Sequence, residues 1–429
     1  MKRRIVAVAA ATAAALILAG CSSNDAPAEG GGDDITLWLN GGDTPDELRD
    51  YLKTEFADAT GGTLTIEEQS WTDALAKLTT ALPDAENTPD VVEIGNTWAP
   101  TFTNAGAFTD LSDMYDELGG DKLLPSFVEV GSVDGAEYAL PYYFGSRYMF
   151  YRKDVWEKAG ITVPTTLAEF NDAAAKLKTD SQSGFYIGGE DWRNGLSWVF
   201  ANGGELAEKD GDSWKSTLSE ENTIEGLTQL QTLFAEASLA PVTEADSTPW
   251  VNINNNETTG APEAATIIAP GWAHWSIGDL APDPEDPTKT VATWNDAVFG
   301  TFVLPGIDGG VAPVFAGGSN IAISAASKNQ DASKELMKII FSEEYQNLLG
   351  ENGLGPANLD YASSLGDDQF ATALIESAAE SKLTPAAPGW AAVEGSGLLE
   401  EFFGKVNGGG DIPALAKEYD AKIDDLING

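Results

Sequence analysis

Between Ile35 and Ile94 the apolar residues switch period repeatedly, and that alternation restricts the fold more than any other feature. Ile35-Thr36-Leu37-Trp38-Leu39 predicts an apolar strand, broken by Asn40-Gly41-Gly42-Asp43. Thr44-Pro45-Asp46-Glu47 predicts a capping box with proline at the first helical position. Leu48, Tyr51, Leu52, Phe56 and Ala59 follow at helical spacing, and Gly61-Gly62 stops the helix. Leu64 and Ile66 alternate as in a strand, Trp71, Leu75, Leu78 and Leu82 share a helical face, and Val91-Val92-Glu93-Ile94 predicts a third strand. The order β-α-β-α-β is the unit of a largely parallel, helix-covered sheet, so the class is α/β.

The pattern starts again further on. Tyr148 to Tyr151 reads as a strand, and Thr166-Leu167-Ala168-Glu169 as a capping box opening a helix through Phe170, Ala174 and Leu177. Phe185-Tyr186-Ile187, Ala265 to Ile268, Thr301 to Leu304 and Ile321 to Ile323 read as strands. Helices are predicted around Ile224 to Phe234, around Leu336 to Ile340, and at the end through Leu415, Tyr419, Ile423 and Leu426. At 429 residues the chain is long for one core, and length suggests roughly two or three. The pattern therefore predicts two α/β lobes with ligand in the cleft between them.

The start of the chain has a different logic. Lys2, Arg3 and Arg4 precede an apolar run from Ile5 to Ala19, and Leu18-Ala19-Gly20-Cys21 closes it. The run is too short and wrongly flanked to span a membrane, and it predicts a signal peptide over residues 1–20. The Leu-Ala-Gly-Cys ending resembles the lipobox of bacterial lipoproteins, which implies lipidation of Cys21. The alternative is an ordinary signal peptide with a chance cysteine. Residues 21–34 carry that cysteine and a Gly/Ala/Pro/acid-rich stretch, read as a tether with a reach of roughly 20 Å.

Composition excludes several functions. The formal net charge is −44, with no basic cluster after the leader, so nucleic acid and anionic lipid headgroups are poor partners. The membrane is then reached through the lipid anchor only. Cys21 is the only cysteine and His274 the only histidine. No zinc-cysteine site, thiol nucleophile or multi-histidine metal site is expected. No phosphate-binding loop, nucleophile elbow or EF-hand loop is present, so neither cofactor nor metal is expected. The stretch from Pro282 to Pro287 reads as a surface loop.

The twelve tryptophans point the other way, towards a ligand. Trp98 follows Ile94-Gly95-Asn96-Thr97. Trp192 stands in Gly189-Glu190-Asp191-Trp192-Arg193. Trp272 and Trp275 stand in Pro270-Gly271-Trp272-Ala273-His274-Trp275, and Trp390 in Pro388-Gly389-Trp390. Sugars present flat C–H faces, which suit an aromatic ring, and hydroxyl rims, which suit Asp, Asn, Arg and backbone donors. Any one of these tryptophans suits core packing equally well; the set points to a carbohydrate cleft. Trp38 and Trp156 read as core.

Asp90 to Asn96, Ala139-Leu140-Pro141-Tyr142-Tyr143, Tyr151 to Trp156, Pro270-Gly271-Trp272 and Ala316 to Ile323 occur in that order. Together they resemble the extracellular solute-binding proteins of bacterial ABC sugar importers, the maltose-binding-protein-like group. The resemblance runs from about residue 35 to the end. It implies a two-lobed periplasmic-binding-protein type II fold with an interlobe hinge and a ligand cleft. By the match, the chain crosses between lobes near Pro141, near Gly318-Ser319 and near Gly355-Pro356. The N-terminal lobe would be residues 35–141 plus 319–356, and the C-terminal lobe 142–318 plus 357–429.

The same resemblance implies the site residues. The turn after the first strand points to Gly42 and Asp43, and the turn after the third to Asn96, Thr97 and Trp98. The segment after Pro141 points to Tyr143, Gly145 and Arg147. Several relatives carry an acid where Gly145 stands, which puts one carboxylate contact in doubt. Asp191, Trp192 and Arg193 form a further group, and Trp272, with Trp275 nearby, and Trp390 match stacking aromatics. The paired glycines Gly317 and Gly318 are followed by Ser319 where some relatives have tryptophan, so one platform is missing. Arg147 and Arg193 also suit structural ion pairs, Asp43 also suits a place just before a helix cap, and His274 reads as packing or surface.

The function this implies is capture of a mono- or oligosaccharide, di- to tetrasaccharide favoured, by a monomeric extracytoplasmic lipoprotein that hands it to ABC permease subunits. Nothing is catalysed. The alternatives are a secreted glycoside hydrolase, whose acid/base pair the many carboxylates could supply, a surface lectin with a fixed site, and the same fold binding a non-sugar solute.

Overall fold

The computed structural model describes residues 34–245, 248–256, 258–284 and 286–429. The leader, Cys21 and nearly all of the tether lie outside the described residues.

The first sheet follows the opening pattern. β1 (Ile35–Asn40) pairs in parallel with β2 (Leu64–Gln69) along its whole length and with β3 (Val91–Gly95) at Leu37↔Val91 and Trp38↔Val92. Leu37 and Leu39 are wholly buried, as are Leu48, Leu52 and Phe56 on the helix Asp46–Thr60. That helix stops at Gly61, whose φ of 74° lets its N–H return to the Ala57 carbonyl. Its start differs from expectation. Pro45 occupies the cap position without a side-chain cap bond, and the buried Thr44 hydroxyl instead meets the Tyr142 hydroxyl at 3.0 Å. A long-range partner has taken the hydroxyl that the local pattern assigned to the cap.

Three later strands complete this sheet: β4 (Ala139–Gly145), β8 (Gly317–Ile323) and β9 (Gly355–Pro356). The order is β9-β4-β8-β3-β1-β2, with β8 antiparallel to both β3 and β4. The second lobe is built on a three-stranded antiparallel sheet. It consists of β5 (Arg147–Arg152) between β6 (Thr266–Pro270) and β7 (Phe299–Phe302). Phe185 to Ile187 does not form the expected strand; a single parallel bridge, Tyr186↔Ile267, holds it to β6. The capping box at Thr166 does form, with its hydroxyl accepting the Glu169 N–H. Glu169 in turn accepts both the backbone N–H and the hydroxyl of Thr165.

The helices Leu167–Leu177, Trp192–Ala201, Glu221–Ala237, Leu398–Asn407 and Ile412–Asp424 enclose the larger core of this lobe, around Phe170, Trp198, Leu230, Phe402 and Tyr419. Trp156 is core, as expected, with its indole N–H donated to Thr266 at 3.0 Å. Trp38 is only half-buried and donates to Glu67. Pro282 ends one strand of a two-stranded ribbon, Asp279–Pro282 with Thr290–Thr293.

The ladders locate where the chain leaves each sheet. β4 stays in the first sheet past Pro141, up to Gly145↔Gly317, and β5 begins in the second sheet at Arg147. The return occurs at Ala316, whose N–H still bonds to Lys382 before Gly317 joins the first sheet. After β9 the 3₁₀ segment Leu359–Leu365 still packs on the first-lobe helix Glu343–Glu351, and the helix Gln369–Ala379 packs on β5 and β7. Pairing continues at each point because the buried backbone groups find partners only in the ladder.

On the helix Gln330–Ile340, which packs on the first lobe, Leu336 is wholly buried. Leu336→Ala is expected to destabilise the protein by about 2–5 kcal/mol in urea unfolding.

Candidate functional site

Gly145↔Gly317 and Ser319↔Gly95 put the crossings at the same end of the first sheet as the ends of β1 and β3. The second lobe therefore lies beyond the C-terminal ends of the parallel strands, where binding loops of α/β sheets gather. The lobes touch there: the Ala391 N–H donates to the Thr101 hydroxyl at 3.2 Å.

The turn after β1 begins at Gly41, with φ of +57° and the Trp71 ring so near that a Cβ would fall 3.0 Å from it. Glycine is the residue this turn admits. Gly42 and Asp43 follow, both exposed. One oxygen of Asp43, Oδ2, accepts the Trp71 indole N–H at 2.8 Å and the Tyr143 hydroxyl at 3.0 Å. Asp43 is thus fixed by two side chains rather than serving a helix start. Trp71, which helical spacing places on one face with Leu75, Leu78 and Leu82, stands at this turn. Ser70 caps the helix Trp71–Ala81 by accepting the Thr72 N–H, which puts Trp71 at the first turn, beside the ends of β1 and β3. The rings of Trp71 and Trp98 lie 5.8 Å apart with planes at 60°. Both are half-buried, so the pair forms an aromatic corner next to a fixed carboxylate.

Other expected residues are committed elsewhere. Asn96 and Thr97 are buried, and Asn96 donates to the Ala316 carbonyl at the crossing. Gly145 and Gly317 face each other across the β4–β8 pair, with a Cβ on Gly145 meeting only Gly317 backbone at 3.8 Å. Gly318 has φ of +121°, and a Cβ there would fall 2.3 Å from the Tyr143 carbonyl oxygen, so this glycine is a requirement of close strand approach. Ser319 is wholly buried, with its hydroxyl oxygen 2.6 Å from Glu93 Oε1. It does not reach into the cleft.

In the second lobe, Arg147 is buried, donating to Asn194 at 2.9 Å and to the Phe315 carbonyl at 3.3 Å. Asp191 caps the helix Trp192–Ala201, accepting both the backbone and side-chain N–H of Asn194. Arg193 pairs with Glu394 at 2.5 Å and lies over the Trp192 ring. Trp192 is buried and donates to Glu400 at 2.9 Å. Trp390 is 0 % exposed, in the same core as Trp192 and Phe402. Neither Trp192 nor Trp390 offers a free ring face here; the apolar core of the lobe has taken both.

Trp272 and Trp275 differ: they are 49 % and 57 % exposed. Trp272 stands edge-on to Trp250 at 4.8 Å. Trp275 packs beside His274 and against the first-lobe turn at Gly353, where a Cβ would fall 3.3 Å from its ring. His274 stacks on Phe370 at 4.5 Å, its Nδ1 lying 2.7 Å from the Gly271 carbonyl. Burial lowers its pKa, which fits the expected packing role. A cavity of about 390 Å³ lies here, lined by Trp275, His274 and Phe370 on one side and by Glu351, Asn352 and Gly353 on the other.

Glu93 stands inside the strand Val91-Val92-Glu93-Ile94, where an acid among apolar residues is itself a signal. It is buried, and that burial pushes its pKa up to about 8, against bonds from Ser319 and the Asn40 N–H that pull it down. Among the described residues no group of His, Cys, Asp and Glu could hold a metal ion, and no helix is long and apolar enough to cross a membrane.

The sequence model for "Bacterial extracellular solute-binding protein" matches residues 52–376. The chain belongs to that family. Within it, the chain is similar to the diacetylchitobiose-binding protein DasA of Streptomyces coelicolor, with 32 % identity over 409 residues, covering 92 % of this chain and 91 % of that one. The fold is that of the sugar-binding protein MalE from Xanthomonas citri, with a TM-score of 0.75 and 21 % identity over 92 % of this chain and 97 % of that one. A cyclo/maltodextrin-binding protein solved with maltotetraose gives a TM-score of 0.72 and 20 % identity, covering 93 % of this chain and 98 % of that one. These solute-binding relatives have two lobes, as this chain does, and the family is extracellular.

Burial separates the tryptophans experimentally. Trp390→Ala is expected to lower stability by about 3–5 kcal/mol in urea unfolding. Trp272→Ala, at a half-exposed ring, is expected to cost well under half as much in the same measurement.

Proposed function

We propose that this protein captures a sugar between its lobes and delivers it to the membrane subunits of an ABC importer. The observation that carries this reading is the Asp43 carboxylate held by Trp71 and Tyr143 beside the Trp98 ring, at the strand ends that face the second lobe. A ring face and a fixed acceptor side by side suit the two surfaces of a pyranose. Trp272 and Trp275 supply exposed aromatic surface on the second lobe. The number of aromatics favours an oligosaccharide of two to four units, and the similarity to DasA makes diacetylchitobiose the first ligand to test.

The ligand touches both lobes and so favours the closed state by its differential affinity. In this reading the hinge runs through Ser146, Ala316 and the segment after Leu365, and Gly42, Asp43, Trp71 and Trp98 form the first-lobe side of the cleft. The protein acts as a monomer, tethered outside the cytoplasm by lipid on Cys21, and performs no catalysis. The Asn96, Arg147, Asp191 and Arg193 side chains shape the walls through the bonds described above.

A thermal-shift panel of mono- to tetrasaccharides, with diacetylchitobiose included, tests the reading. Ligand at 100 times Kd stabilises by about 2.7 kcal/mol, so a binding sugar raises the melting temperature clearly. No shift with any sugar, and a shift with a peptide or polyamine, would overturn it. In calorimetry with the sugar so found, Trp272→Ala is expected to weaken binding by roughly 1–3 kcal/mol, the scale of a truncated aromatic anchor.

A further inference from the structure

Beneath the cleft lies a carboxyl that no ligand can reach. Glu93 Oε2 accepts the Asn40 N–H at 2.7 Å, and its Oε1 lies 2.6 Å from the Ser319 hydroxyl. The Asn40 side-chain amide donates back to the Glu93 carbonyl at 2.9 Å. Ser319 stands directly opposite Tyr143 in the β4–β8 ladder, so the two side chains lie on the same face of the sheet. Tyr143 donates to Asp43 Oδ2 at 3.0 Å, the oxygen that also accepts the Trp71 indole N–H. A line of neighbouring side chains therefore runs Glu93, Ser319, Tyr143, Asp43, Trp71, from the sheet to the exposed carboxylate. Ser319 and Tyr143 lie on β8 and β4, the strands that lead into the second lobe.

We propose that Glu93 is a positioning residue of the ligand cleft, fixing through Ser319 and Tyr143 how Asp43 presents its carboxylate. This rests on the reading of the cleft as the ligand site. With Glu93 neutral, its O–H donates to Ser319, Ser319 to Tyr143, and Tyr143 to Asp43. Every donor then points towards Asp43. When Glu93 gives up its proton to solvent, Ser319 turns its own hydroxyl hydrogen inward to Glu93, and Tyr143 loses that donor.

The charged and titratable neighbours act on the balance from each packed element. Asp43 raises the Glu93 pKa and Arg49 lowers it. Arg49 is itself paired with Glu68 at 3.0 Å. Tyr142 and Tyr143 from β4 and Tyr345 from the helix Glu343–Glu351 are all held neutral by burial. Burial dominates, and the switch falls at about 8. The folded state holds a proton that the unfolded chain has released between the ordinary value of 4.5 and about 8. Stability contributed by this group is therefore present at low pH and declines as pH rises through that window.

The test needs no sugar. In the ¹⁵N-labelled protein, the Trp71 indole signal, assigned by its loss in Trp71→Phe, is expected to move with a midpoint near pH 8. In Glu93→Gln, which mimics the neutral carboxyl, that movement is expected to vanish. The melting temperature of this variant relative to wild type is expected to climb between pH 5 and pH 8.5. In Ser319→Ala, which keeps Glu93 but breaks the line, the indole movement is likewise expected to vanish. An indole signal that titrates unchanged in both variants, or does not titrate in wild type, overturns the proposal. Failure of every sugar to bind wild type would count against the sugar reading, while the indole titration would still decide the role of Glu93.

Discussion

β4 and β8 lie side by side in the first sheet and leave it at the same end, and the rest of the molecule is arranged around that pair. Their ladder runs from Ala139↔Ala322 to Gly145↔Gly317, with a register shift between Ser319 and Asn320. The Asn320 amide closes the gap by donating to the Phe127 and Ala139 carbonyls. Two strands that are locked in one lobe and continue into the other make a narrow connection. In the proposed reading, the lobes rotate about this connection when ligand binds.

This placement links architecture to recognition. The ends of β1 and β3 open towards the second lobe, so the fixed Asp43 and the Trp71–Trp98 corner face that lobe. A ligand spanning that gap stabilises the closed form only by contacts that the open form lacks. The second-lobe arginines are already engaged by protein partners, Arg147 with Asn194 and Arg193 with Glu394. In the proposed reading they are parts of the wall rather than ligand contacts. Exposed aromatic surface on that side comes from Trp272 and Trp275.

Much of this was legible in the sequence because it is local. The β-α-β-α-β opening, the helix stop at Gly61 and the box at Thr166 follow from period and capping chemistry. Asp43 was legible as a turn residue after a strand, and the five ordered motifs led to the family. What was hidden depended on distant partners. The Thr44 hydroxyl goes to Tyr142, far along the chain, instead of to its helix. Trp192 and Trp390 stand in the same kind of sequence context as Trp272, yet the core takes them and leaves Trp272 exposed. A tryptophan just after a glycine-containing turn can face inward or outward, and only the packing decides. Glu93 looked like one acid among many until the sheet closed over it.

Small-angle scattering with and without saturating sugar tests closure about the β4–β8 hinge most directly. The account predicts a smaller radius of gyration when ligand is bound. An unchanged radius at proven saturation would contradict it and would describe a fixed-site lectin instead.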